Sequence, residues 1–174
     1  IKKNKIDVRL LGNIGKPLLS EKKITSKTMF VIEASSYQLE YSKYFKTNYS
    51  TILNISPDHL ERHATFQKYV NSKFKLVSNQ DFRDYAFIPK GNKVLSELIK
   101  KKGIRPKIIK VRNNIKKDFL KKIKNPYFNN INNQINLTFA LEICKQLKLS
   151  KRLILKAVNS FKGLRFRQQI LYNK

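Results

Sequence analysis

Cysteine is nearly absent. Cys144 stands alone, which excludes an internal disulfide framework and a zinc site built on cysteine. No run of about 18 apolar residues occurs, so no membrane span is expected. The opening Ile1-Lys2-Lys3-Asn4-Lys5 lacks the apolar centre of a secretory signal. Ile1 is also not an initiator Met, which points to coding sequence further upstream. Acidic residues are scarce, 11 against 38 basic ones. These absences together suggest a cytoplasmic protein with no membrane partner.

What is present begins with charge. The formal net charge is +27, and such an excess suits a basic nucleic-acid-binding module. Yet 30 of the 38 basic residues are Lys and 8 are Arg, whereas readers of phosphate and bases lean on the planar Arg fork. The lysines are spread along the chain, and Asn, which adds no charge, is abundant too. A composition biased toward Lys, Asn and Ile accounts for this better than a binding face does. The 174 residues and 41% hydrophobic content suit one folded domain that hides roughly 70% of its unfolded surface.

The apolar pattern alternates between strand-like and helix-like runs. Val8 to Leu11 reads as a short strand, Gly12 to Gly15 as a tight loop, and Pro17 as the first turn of a helix. Met29 to Ala34 is strongly β-type, with Ser35-Ser36 capping a short helix behind it. Thr51 to Ile55 reads as another strand. Phe66, Tyr69, Val70, Phe74 and Val77 give helical spacing over 65–78. Strands follow at 85–88 and 108–111, with a helix over 93–101 that Gly103 stops. Two further amphipathic helices cover 133–147 and 151–161. The Asn-rich patch over 125–136 reads as a loop leading into the first of them. Such alternation predicts an α/β fold: a mostly parallel sheet covered by helices on both faces.

Several motifs invite chemistry. Gly15-Lys16 fails as a P-loop, because Leu10 stands where a Gly is needed and Pro17 where Ser or Thr is needed. Gly12-Asn13-Ile14-Gly15 is either a structural turn or a loop whose amides meet a phosphate. Glu33 ends an apolar strand. It either caps a local turn, accepting from Ser35 or Ser36, or offers oxygens to Mg²⁺. Asp58-His59 follows another strand-like run, with His63 one turn on. No Glu stands directly after His59, where Leu60 sits, and no third ligand is evident for a zinc helix. Lys73 is either a solvated lysine or, given Phe66, Tyr69 and Val77 on its face, a partly buried stem.

Taken together these segments resemble the Mur ligases. The resemblance is carried by Gly12-Asn13-Ile14-Gly15-x-Pro17, by Glu33-x-Ser35-Ser36-x-Gln38-Leu39-Glu40, and by Asn54-x-x-x-Asp58-His59-Leu60-x-Arg62-His63. Lys73, Asn133-x-x-Asn136 and Gly163-Leu164-x-x-Arg167 follow in the family's order. The Glu33 to Glu40 segment favours the D-glutamate-adding branch. The resemblance implies a P-loop NTPase-like central domain and an ATP-dependent ligase of peptidoglycan precursors. That ligase joins D-glutamate to UDP-N-acetylmuramoyl-L-alanine through an acyl phosphate. Another Mur-type or folylpolyglutamate-type ligase is the alternative.

Roles follow from the resemblance alone. Glu33 would hold one Mg²⁺, and His59 a second together with a carbamylated Lys73. Gly12, Asn13 and Ser35 would meet the UDP-muramoyl substrate. Asn133, Asn136 and Arg167 would meet ATP. The family's P-loop would lie upstream of Val8, and its Asp-Ser-Lys-x-Thr segment beyond Lys174. Residues 1–174 are therefore expected to be a partial central domain, without the N-terminal UDP-binding domain, the P-loop or the C-terminal domain. Alone they are expected neither to hold ATP tightly nor to turn over, and to carry an unpaired strand edge. Asn132, Arg165, Phe166 and Gln169 depart from the family pattern. The complete enzyme is expected to be a monomer without specific nucleic-acid binding.

Overall fold

The computed structural model describes residues 1–2 and 6–163. They fall into two compact units. One is Ile6–Val111; the other joins Ile1–Lys5 to Arg112–Lys174.

In the first unit, β1 (Val8–Gly12) and β2 (Met29–Glu33) pair in parallel, with Gly12 opposite Glu33 at their carboxyl ends. The segment after Pro17 is expected to be helical, but it makes only a 3-10 turn at Leu18–Ser20. Arg9 explains this. Its guanidinium donates to Glu21 at 2.7 Å and to the Lys22 and Lys23 carbonyls at 2.6 and 3.0 Å. Those carbonyls are thereby committed to a side chain rather than to a helical ladder.

A second parallel ladder runs β3-β4-β5, over Tyr49–Thr51, Tyr85–Pro89 and Lys107–Val111. Central β4 buries Ala86, Phe87 and Ile88 completely, as a strand with neighbours on both sides should. The strand expected at Thr51 to Ile55 lies earlier. Tyr49 to Thr51 face β4, Ile52 adds one bond to the Phe87 carbonyl at 3.1 Å, and the chain then leaves the ladder. The parallel pairing expected from the sequence is present. It is divided, however, into a two-stranded and a three-stranded sheet, because no described strand pairs with both.

Four helices belong to this unit: α1 (Ser36–Tyr41), α2 (Leu60–His63), α3 (Phe66–Ser78) and α4 (Lys93–Lys102). Val70, Phe74 and Val77 of α3 and Leu95 and Leu98 of α4 form one core with Ile52, Ala86 and Ile88. Thr65 and Asn92 cap α3 and α4 by accepting from the Lys68 and Leu95 amides. Gly103 ends α4 in the left-handed conformation its sequence position predicts.

The second unit is helical: α5 (Lys117–Leu120), a 3-10 turn Pro126–Asn129, α6 (Ile131–Gln146) and α7 (Lys151–Asn159). Ile115, Phe128, Leu137 and Val158 form its core. α5 is too short for periodicity to reveal. The Asn-rich patch is structural. Asn125 accepts from the Tyr127 amide and donates to the Val158 and Phe161 carbonyls, while Asn130 caps α6. That cap starts the helix at Ile131, two residues before its sequence-based position. Among the described residues no helix is long and apolar enough to cross a membrane.

Candidate functional site

The carboxyl ends of β1 and β2 place Gly12, Asn13 and Glu33 together. Gly12 has φ +104°, and a Cβ there would run into the Glu33 carbonyl oxygen. That oxygen accepts from the Asn13 amide at 2.9 Å. Glycine is thus demanded both by the turn and by the close approach of β2. Glu33 Oε2 is buried with no hydrogen-bond partner. Ser35 does not satisfy it. Instead the Ser35 hydroxyl accepts from the Gln38 amide at 3.3 Å, and the Gln38 side chain accepts from the Ser35 amide at 3.0 Å. This reciprocal box starts α1. An orphaned buried carboxylate oxygen is costly, and a hard cation with oxygen ligands relieves that cost. Glu33 therefore fits Mg²⁺.

A second cluster gathers around Tyr69, which is 2% exposed. The Lys73 ammonium lies over its ring, 4.9 Å from the centroid. His59 and His63 meet the same ring at 6.4 and 5.6 Å. Tyr37 closes the group, 5.0 Å from His59 and stacked on His63 at 5.6 Å. His59 and Lys73 are thus brought to one aromatic, and Lys73 is the half-buried stem its neighbours suggest. His59 sits in the left-handed region, φ 53°, at the start of α2. Its ring nitrogens lie 3.5 Å from Asp58 and 3.7 Å from Glu61. Among the described residues no three His, Cys, Asp or Glu side chains gather into a ready metal cage.

Asn133 and Asn136 belong to the other unit. They line a largely apolar cavity of about 390 Å³ with Tyr127, Leu137 and Cys144. Asn133 is buried and donates to the Tyr127 carbonyl at 2.8 Å. Burial pushes the Cys144 thiol up from its ordinary value. Arg167 lies outside the described residues, as do Leu164, Arg165, Phe166 and Gln169. Sequence reasoning missed Tyr37 and the buried role of His63. Tyr37 lies between two serines and Gln38 with no apolar period to mark it. His63 sits four residues after His59, a spacing that reads as a shared helix face.

Parallel strands alternating with helices, with a glycine turn at their carboxyl ends, define the class as an α/β fold. Comparison makes this specific. Residues 7–149 match the Mur ligase middle domain. The chain belongs to that family. A protein called UDP-N-acetylmuramoylalanine–D-glutamate ligase from Rickettsia bellii is 30% identical over 98% of this chain and 42% of its own length. One of the same name from Caldicellulosiruptor bescii is 42% identical over 57% of this chain and 22% of its own. The chain therefore spans less than half of these relatives. The crystal structure of MurF from Acinetobacter baumannii shares the fold, with a TM-score of 0.64 and 13% identity. It matches 98% of this chain and 50% of MurF.

Proposed function

We propose that these residues are part of the central ATP-binding domain of a longer, cytoplasmic ligase. That ligase would add D-glutamate to UDP-N-acetylmuramoyl-L-alanine in peptidoglycan precursor synthesis. The unpartnered Glu33 oxygen at the carboxyl end of β2 carries the reading, because such an edge is where an open α/β sheet presents its chemistry. Relatives bearing that enzyme's name support the choice of substrate.

The reaction has two steps. A carboxylate oxygen of the muramoyl-alanine attacks the γ-phosphorus of ATP, and ADP leaves, giving an acyl phosphate. The D-glutamate amine then attacks the acyl carbon. Inorganic phosphate leaves, a proton is lost, and an amide remains. Glu33 would hold one Mg²⁺, and His59 with carbamylated Lys73 a second; bound there, the ions supply charge neutralisation on the phosphoryl oxygens. Carbamylation forms an N–C bond from the neutral Lys73 amine to CO₂ with loss of a proton. It replaces a cation beside the metals with an anionic oxygen ligand. The Asn13 amide is committed to Glu33, so its substrate contact would come from the side chain. Asn133, Asn136 and Arg167 would orient ATP.

The test uses the complete protein that carries this chain. Sustained, multiple-turnover ADP release should require both UDP-N-acetylmuramoyl-L-alanine and D-glutamate, and Glu33→Gln should lower kcat by about 10²-fold or more. Turnover with a different amino acid would move the assignment to another Mur-type ligase. ATP hydrolysis indifferent to either substrate would overturn it.

A further inference from the structure

His63 is 2% exposed, and the reaction sketched above gives it no task. Its Nε2 lies 3.0 Å from the hydroxyl of Ser36, itself buried and 27 residues earlier in the chain. Its Nδ1 makes no hydrogen bond and lies 3.8 Å from Glu40 Oε2, which is likewise buried without one. Arg62 approaches the same carboxylate oxygen at 3.8 Å. A carboxylate can only accept, so a neutral imidazole with its proton on Nδ1 would aim that proton at Glu40 and leave Nε2 to accept from the Ser36 hydroxyl.

We infer that His63 is a positioning residue that locks the segments bearing Glu33, His59 and Lys73 against one another. The inference rests on those three residues being the metal-binding set. Three contacts support it. Through Ser36 the imidazole holds the corner three residues beyond Glu33. Through the four-residue α2 it is joined to His59, the residue from which that helix starts. Through Tyr69, whose ring it meets edge-on, it reaches the aromatic under Lys73. A core filler would need none of this polarity, since an apolar ring of similar size would fill the space without burying the unpaired Nδ1. Outer groups that orient ligands in this way are commonly as decisive as the ligands themselves.

Mn²⁺ alone, titrated into the complete protein and followed by the spin resonance of the free ion, reads the site without turnover. Glu33→Gln should abolish the tight phase and so define the site. Ser36→Ala and His63→Phe should each weaken Mn²⁺ by about tenfold. His63→Gln can place an amide near the lost Nε2 and should recover most of that loss. A merely structural role would lower the melting temperature of these variants without separating His63→Gln from His63→Phe in Mn²⁺ affinity. If His63→Phe does not fold, Ser36→Ala and His63→Gln still decide. Wild-type affinity in Ser36→Ala, with loss in Glu33→Gln, overturns the positioning role alone. Indifference to Glu33→Gln overturns the metal-site reading as well.

Discussion

Two carboxylates with opposite environments illustrate how single residues divide between stability and function. Asp81 is fully served. The Arg83 guanidinium donates to it at 3.1 Å, the Arg83 amide at 2.9 Å and the Lys46 ammonium at 2.6 Å. The Arg83 side chain first, then Lys46, hold its carboxyl well below the usual carboxylate range, against a smaller opposing effect of burial. A carboxyl that is more acidic folded than unfolded stabilises the fold above its unfolded value and loses that contribution as pH falls toward its folded one. Asp81→Asn should therefore lower the melting temperature at neutral pH. The gap to wild type should close as pH drops below about 4. Melting curves of both proteins across that range check it, and a gap that persists at low pH would mean the lost hydrogen bonds, not the charge, matter. Glu33 is the contrary case. Its buried oxygen has no such service, which is a cost retained where a ligand can repay it.

Among the described helices, α2 is flanked on both sides by non-glycine residues with positive φ, His59 at 53° and Ala64 at 61°. An L residue with a Cβ adopts that region at a penalty, and such penalties cluster where geometry serves function. Ala64 has no side-chain chemistry to justify its share. Ala64→Gly should stabilise the protein by about 0.5–1 kcal/mol, the loss of strain outweighing the extra unfolded freedom of glycine. Urea unfolding measures this; a destabilised variant would mean that the Ala64 methyl packs better than its exposure suggests. At His59 the same relief would cost the ring that meets Tyr37 and Tyr69.

Across the whole molecule the dominant quantity is charge. With 38 basic and 11 acidic residues, repulsion among like charges opposes compaction. Raising NaCl from about 20 to 200 mM shortens the screening length from tens of ångströms to below ten. The melting temperature should rise over that range. A fall would show that ion pairs such as Lys46–Asp81 and Arg9–Glu21 outweigh the general repulsion.

Much of the architecture was legible because it is local. β2, α3, β4 and α4 follow from β-type runs, helical spacing and Gly103, all of which act within a few residues. The glycine turn and the carboxylate at the end of β2 were legible for the same reason. The division into two ladders was not, because pairing is decided between segments far apart in the chain. The 3-10 turn after Pro17 was hidden because Arg9, remote in sequence, takes the carbonyls a helix would need. The Ser36–His63 bond spans 27 residues, and no local pattern announces it. The sequence by itself determined which residues could do chemistry and which elements would carry them. Only the tertiary structure decided that Lys73 and both histidines share Tyr69, that Glu33 keeps an unpaired oxygen, and that His63 is buried. Burial and partnership belong to surfaces that meet only when the chain closes on itself.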